Sequence, residues 1–356
     1  MFDVLGKIQY MLGEVNIGRD KVGLNHPCCI VAEIGSNHNQ DWNLALKHID
    51  AAVEAGANAV KFQTFKAEKH ISEKAISPSY LNTKKKLYEI IKSLELNRDW
   101  QRPLYDYCEK KNITFFSSPC DTDAVDQLEK IGVLVHKVAS FDLPDLGLIR
   151  YIADKHKTII LSTGLADWME IQRAVDVCRE VGNENIIILQ CTSLYPAPVH
   201  LTNLKAMQSM TVAFNVLTGY SDHTNSDTVA CAAVAMGACL IEKHFTVDKK
   251  LPGPDHPFAM GPYEFKRMVD RIRETEAAMG DGIKNGPRPE EKEMAETGKR
   301  SIHAATDIKN GETLTQQMLV IKRPGRGISP HLLNDIIGRK ARRNIVMDEW
   351  ITWEML

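Results

Sequence analysis

Between residues 28 and 280, short runs of apolar and β-branched residues alternate with stretches whose apolar positions recur every three to four residues. The short runs are CCIVAEIG (28–35), NAVKFQ (58–63), ITFFSS (113–118), VLVHKVAS (133–140), TIILST (158–163), NIIILQC (185–191), AFNVLTGY (213–220) and CLIEKHF (239–245). Each has the length and composition of a buried strand. The segments between them are helical in pattern. NLALKHIDAAVEAGA (43–57), for instance, carries apolar residues at i, i+3, i+4 and i+7. Strand and helix in regular alternation predict right-handed βαβ units around a parallel sheet. About eight such units in about 250 residues is the size of a closed (β/α)8 barrel of the TIM type. An open doubly wound sheet is the competing arrangement, but no GxGxxG follows the first strand.

The rhythm breaks twice. Residues 64–98 are a long connection rich in Lys and Ser, expected to be a partly helical excursion over the barrel mouth or a mobile lid. After residue 282 the alternation stops at IKNGPRPEEKE, a linker composition. The runs SIHAATDI, MLVIKRPGRGI and HLLNDIIGRKARRNI follow. The expected division is a barrel unit over 1–282, a linker over 283–295 and a small domain over 296–356.

A barrel places its chemistry at the C-terminal ends of its strands, and polar residues collect there in unit after unit. His223 and His244 each close an apolar run, about twenty residues apart. Neutral imidazoles on adjacent strand ends suit a divalent metal with open positions. Unrelated, hydrogen-bonded histidines are the plain alternative. Glu33 and Glu242 could add ligands or exchange protons. Lys61, Lys137 and Lys243 lie within or at the end of apolar strands, where an unpaired charge is costly. An anionic ligand would neutralise them, and one of them could instead form a Schiff base. Ser118, Ser140, Ser162, Thr163 and Ser193 sit at strand-to-helix turns, where hydroxyls serve as helix caps or as phosphate donors. Taken together, the pattern describes a metal-assisted barrel acting on a small anionic molecule.

Composition narrows the setting. The chain has 356 residues, 44% hydrophobic and 25% charged, with a formal net charge of −2. No global field recruits nucleic acid or an acidic membrane. No apolar run reaches the roughly 20 residues of a membrane span and no signal peptide opens the chain, so a cytoplasmic protein is expected. The eight cysteines show no metal-ligand CxxC spacing. Cys28, Cys29, Cys191, Cys231 and Cys239 read as small hydrophobes in apolar runs.

The motifs AEIGSNHNQD (32–41), ANAVKFQTF (57–65), HKVASFDLPDLGLI (136–149), ILSTGLAD (160–167), LQCTSLYPAP (189–198), GYSDHT (219–224), IEKHFTVDKKLPGPDHPFAM (241–260) and RPGRGISP (323–330) resemble, in order, those of the sialic acid synthase family. That family includes N-acetylneuraminate synthase and relatives making legionaminic acid, pseudaminic acid and spore-coat sugars. The resemblance covers residues 28–356, and residues 1–27 look like the family's N-terminal hairpin. It implies condensation of phosphoenolpyruvate with an open-chain N-acylated hexosamine, giving a nine-carbon 2-keto acid and phosphate. A divalent metal assists, usually Mn, with Mg or Co as alternatives.

Carried over by position, the resemblance makes His223 and His244 the metal ligands. It places Lys61, Ser118, Lys137, Ser140, Ser162, Ser193, Tyr195 and Ser221 around phosphoenolpyruvate. Glu33, Gln63, Tyr195 and Asp255 fall around the sugar, with Glu33 activating water or relaying protons. The C-terminal segment resembles the antifreeze-like SAF domain, which implies a domain-swapped homodimer with Arg326 reaching the N-acyl group. Three places mark the branch. Ser193 stands where sialic acid synthases usually carry Asn. SFDLPDLGLI is closer to the legionaminic, pseudaminic and spore-coat branches. DHPFAM keeps an Asp-His pair that is typically Asp-Ser in pseudaminic acid synthases. A Schiff-base pyruvate aldolase and a non-catalytic sugar-binding relative are the competing functions.

Overall fold

Eight parallel strands close into a barrel in the computed structural model of the chain, which describes residues 13–77 and 85–356. A hairpin precedes them, β1 (Val15–Ile17) and β2 (Asp20–Val22). The barrel strands are β3 (Cys29–Gly35), β4 (Ala59–Thr64), β5 (Thr114–Pro119), β6 (Val135–Val138), β7 (Thr158–Ser162), β8 (Ile186–Cys191), β9 (Leu217–Asp222) and β10 (Leu240–His244). They pair in sequence order, and β10 closes the ring against β3. The expected (β/α)8 barrel is the observed one.

Successive side chains on a strand face opposite ways, and this phase organises the core. One face of each strand packs against the outer helices, through Ile30, Ile34, Val60, Phe62, Phe115, Tyr220 and Ile241. On helix Trp42–Glu54, for example, Ala45, Ile49 and Ala52 turn inward, and Asp41 caps the first turn by accepting from the Leu44 amide. The other face fills the barrel. Its lower layers are apolar: Val31, Ala59, Phe116, Val135, Ile160, Leu189 and Leu240 pack with Ile17 and Val22 of the hairpin. Burying each such side chain stabilises the fold by about 1.5–3 kcal/mol. The hairpin plugs the lower end, and the Thr158 hydroxyl donates to the Asn16 carbonyl at 2.8 Å. Continued upward in the same phase, the inward positions become Glu33, Lys61, Gln63, Ser118, Lys137, Ser162, Ser221, Glu242 and His244.

Two details depart from expectation. The run 213–220 begins too early as a strand, because Phe214 still ends helix Lys205–Phe214. Asn215 closes that helix in the left-handed region (φ 50°), a common helix-ending device. Lys243 belongs to the outward phase, not to the barrel interior. It pairs with Asp222 at 2.7 Å and with the Thr224 carbonyl, so it needs no anionic ligand.

The described parts of segment 64–98 include two short helices, Ala67–His70 and Leu87–Ser93; residues 78–84 lie outside the described residues, as do 1–12 of the N-terminal reading. The outer ring is tied by Asp227, a buried residue at the start of helix Asp227–Ala235. It accepts from Arg267 at 2.7 Å and from Arg271 at 2.9 Å, both on helix Pro262–Met279. Burial acts to raise the Asp227 carboxyl, but the two arginines outweigh it and hold the group below its ordinary value. A depressed carboxylate stabilises above its unfolded pKa, and that contribution is lost as pH falls through the folded one. Asp227→Asn is therefore expected to cost about 1–2 kcal/mol at pH 7, discounted because both arginines are half exposed. In urea unfolding the gap to the unchanged protein should close below about pH 4. A gap of the same size at pH 7 and pH 3 would refute the ion-pair account.

The chain divides into two units after Gly280. The second contains the antiparallel pair β11 (Ser301–Ala304) and β12 (Leu319–Lys322). Its own core includes Ile302, Ile308, Leu314, Ile328, Ile336, Ile345 and Ile351.

Candidate active site

The upper barrel opens into a cavity of about 220 Å3. Glu33, Lys61, Gln63, Ser118, Lys137, Ser140, Ser162, Tyr195, Ser221, His223, His244 and Asp255 line it. Ser193 does not, and Arg326 lies in the second unit.

Four buried charges form the floor. Lys61 Nζ is 2.8 Å from Glu33 Oε2, 3.7 Å from Glu242 Oε1 and 3.2 Å from the Ser118 hydroxyl. Lys137 Nζ is 3.6 Å from the same Glu242 oxygen, and Gln63 donates to Glu33 Oε1 at 2.8 Å. Two ammonium groups thus face two carboxylates, without which burial would cost several kcal/mol per ion. The four are not equivalent. Burial raises the Glu33 carboxyl, with Lys61 opposing and Glu242 adding to the rise. Glu242 is held below its ordinary value because Lys137 and Lys61 overcome its burial. Glu242 is thereby the standing counter-ion and Glu33 the carboxyl suited to exchanging a proton. Burial lowers Lys137, which Glu242 only partly offsets, leaving Lys137 as the cation with room for a further anion.

Hydroxyls stand at the ends of the strands that follow: Ser140 after β6, Ser162 ending β7 and Ser193 after β8. The Ser140 hydroxyl accepts from the Gly164 amide at 3.0 Å. The Ser162 and Ser193 hydroxyl oxygens are buried without a hydrogen-bond partner. A Cβ at Gly164 would come within 2.2 Å of the Ser193 oxygen and 2.8 Å of the Ser140 oxygen. Only glycine leaves both hydroxyls where they are. Ser193 thus stands behind the wall, beside Ser140.

Across the mouth, the His223 and His244 rings lie 5.4 Å apart between centroids. Tyr195 packs on His223 at 4.3 Å and Phe258 on His244 at 5.0 Å. His223 Nδ1 is 2.8 Å from the Thr192 carbonyl, so Nδ1 carries the proton and Nε2 keeps its lone pair for a ligand. His244 Nδ1 is buried without a hydrogen bond, 3.8 Å from Asp255 Oδ2. Two imidazoles with a carboxylate alongside, one ring nitrogen unsatisfied, fit a divalent ion that accepts nitrogen and oxygen.

Several lining residues escaped the sequence reading. Cys191, taken as a small hydrophobe, lines the cavity with its sulfur 3.8 Å from His223 Nδ1; the inward phase of Ile187 and Leu189 would have placed it there. Glu242, weighed as a ligand or acid, is the shared counter-ion of two lysines. Leu87, Ile90, Ile91 and Leu94 contribute an apolar stripe at helical spacing to the wall, and His70, Cys120 and Asp142 complete it. Asn37 and His38, polar at a strand end, are buried away from the cavity; the Asn37 amide donates to the Phe245 carbonyl at 2.9 Å.

In the second unit, Arg326 is exposed and stands 6.0 Å from the Trp350 ring. A Cβ at Gly325 would meet Lys299 at 2.7 Å, and one at Gly327 the Ile351 carbonyl at 2.8 Å. The two glycines let the loop press onto its domain and leave Arg326 as the side chain that projects. Among the described residues no helix is long and apolar enough to cross a membrane.

Comparison with known proteins shows the family. The model of the NeuB family matches residues 48–284 and that of the SAF domain residues 299–356. The chain is 43% identical over 329 residues to N,N'-diacetyllegionaminic acid synthase of Campylobacter jejuni, covering 90% of this chain and 98% of that one. It is 32% identical to human N-acetylneuraminate-9-phosphate synthase, covering 94% of each. The crystal structure of N-acetylneuraminic acid synthetase from Leptospira borgpetersenii superposes with a TM-score of 0.71 at 35% identity, over 80% of this chain and 95% of that one. With its barrel, its paired histidines and its C-terminal SAF domain, the chain belongs to the NeuB family of synthases.

Proposed function

We propose that this enzyme condenses phosphoenolpyruvate with an open-chain N-acylated hexosamine, giving a nine-carbon 2-keto sugar acid and phosphate. The supporting observation is that one cavity is lined both by two buried lysines with serine hydroxyls and by a pair of imidazoles. C3 of phosphoenolpyruvate bonds to the aldehyde carbon, water adds at C2 and phosphate leaves, while the aldehyde oxygen takes up a proton. Lys61, Lys137 and the hydroxyls of Ser118, Ser140, Ser162 and Ser221 bind and orient the carboxylate and phosphate, with Ser193 behind the wall beside Ser140. Glu33, steadied by Lys61 and Gln63, handles the proton of the attacking water. Tyr195 and Asp255, on the histidine side, face the sugar. A divalent cation held by His223 and His244, Mn by the family resemblance, would supply Lewis acidity toward the aldehyde oxygen when bound. The test is phosphate release from phosphoenolpyruvate across a panel of N-acylated hexosamines, with the 2-keto acid identified by mass. No release with any of them would sink the reading.

One observation favours a second reading. Lys137, its ammonium disfavoured by burial, is the kind of lysine that forms a Schiff base. Borohydride trapping of a pyruvate adduct would support an aldolase. Stoichiometric phosphate release without trapping would exclude it.

The projecting Arg326 is proposed to reach the N-acyl group in a partner's barrel across a homodimer. Mixing Arg326→Ala with His223→Ala chains and allowing subunit exchange should restore part of the activity. Each mixed dimer would then hold one intact barrel facing one intact Arg326. No gain over the separate proteins would overturn the swap.

A further inference from the structure

His70, Cys120 and Asp142 bring three metal-ligating side chains together, and the reaction above gives none of them a task. They come from the loops after β4, β5 and β6. His70 ends helix Ala67–His70, Cys120 directly follows β5, and Asp142 ends the short turn Ser140–Asp142. One ligand atom from each lies within 4.8 Å of the others, and all three are half buried. Among the described residues this is the one group of three such side chains close enough to share an ion.

The spacing is that of a small tetrahedral site. Cys120 Sγ is 3.6 Å from Asp142 Oδ2. A Zn2+ ion with sulfur at about 2.3 Å and oxygen at about 2.1 Å separates its ligands by about 3.6 Å. The His70 ring stacks on Phe65 at 5.3 Å and 22°, and one of its nitrogens lies within 4.8 Å of the ligand atoms of both Cys120 and Asp142. A thiol hydrogen bond to Asp142 accounts for two members of the group but not for the imidazole. The neighbouring cations Lys61 and Lys137 are paired with Glu33 and Glu242, which offsets part of their repulsion toward an ion. The ring order sets β4–β6 across the mouth from β9 and β10, so this group is separate from the His223–His244 pair.

We propose that His70, Cys120 and Asp142 form a second divalent-cation site, selective for a thiophilic ion of the Zn2+ class over Mn2+, with its fourth position open to the cavity. The thiolate sets that preference, because sulfur favours Zn2+ and Co2+ whereas Mn2+ favours oxygen. An ion there would sit on the cavity wall facing the histidine pair. The Cys120 proton leaves to solvent as the sulfur binds.

Metal-free, full-length protein titrated with Co2+ as an optical probe, then with Zn2+, tests this. Two ions per chain are expected, one of them giving the intense near-ultraviolet charge-transfer band of a cobalt thiolate. His223→Ala should lose one ion and keep the band. Cys120→Ser should lose the band and keep the other ion. Asp142→Asn should weaken Zn2+ binding at least about tenfold, and it serves if the Cys120 variant fails to fold. Absence of the band in the unchanged protein overturns the proposal. So does a band that survives in Cys120→Ser and vanishes in His223→Ala, which would assign the sulfur to Cys191.

Discussion

Alanine at His223 is expected to lower phosphate release by at least about a thousandfold, and chelation of divalent cations should do the same reversibly. A Lewis acid at a carbonyl oxygen contributes several kcal/mol to the transition state, and about 4 kcal/mol corresponds to a thousandfold in rate. The fold should survive. His223 lies at the cavity wall, 6% exposed, above the apolar layers that hold the barrel, so Tm should move by no more than about 5 °C. Mn2+ should restore the chelated enzyme and leave His223→Ala inactive. Undiminished turnover by rigorously metal-free protein would remove the cation from the reaction, while the anion wall would stand.

Lys61→Met should separate the two substrates. The change keeps the stem and removes the charge that touches Glu33, Glu242 and Ser118. Losing one partner of a buried charged contact costs about 2–5 kcal/mol, so phosphoenolpyruvate should bind at least about thirtyfold more weakly by calorimetry. Hexosamine binding should change much less. A second consequence concerns pH. Burial already raises Glu33, and Lys61 is the main group opposing that rise. A carboxyl whose folded pKa lies above its unfolded one stabilises at low pH and loses that contribution as pH rises. Without Lys61 the deficit in urea unfolding should grow as pH rises, because a Glu33 carboxyl that ionises has lost its main counter-ion. Loss of sugar binding with phosphoenolpyruvate binding intact would reverse the assignment of the two walls.

How much of this was legible in the sequence depended on phase. The βαβ rhythm gave the barrel because every unit repeats the same period. The paired histidines and Lys61 and Lys137 were visible because polar groups at the ends of apolar runs need a reason to be there. What failed was finer than a strand. Lys243 and His244 are neighbours in the chain, yet one residue of phase sends Lys243 to Asp222 outside the barrel and His244 into the cavity. Cys191 was misread by the same margin. Glu242 was legible as a polar strand end but not as a counter-ion shared by two lysines, because that role depends on strands β4 and β6, about 180 and 105 residues away in the chain. The wall formed by His70, Cys120 and Asp142 could not be read at all, since three separate loops build it.

The β1–β2 hairpin has a kinetic meaning. With Ile17 and Val22 set into the lower layers, the barrel is a well and not a tunnel, and traffic must use one door. Lys61, Lys137 and Ser162 lie on the strands themselves, whereas Tyr195 and Asp255 are on loops nearer the rim. Under the proposed reaction the phosphorylated acid must enter before the sugar, because a sugar already in place would stand in its way. On the return the order inverts: phosphate, formed at the bottom, waits until the nine-carbon product has cleared the doorway. Steady-state analysis should then show compulsory order, with phosphate competing against phosphoenolpyruvate and not against the sugar.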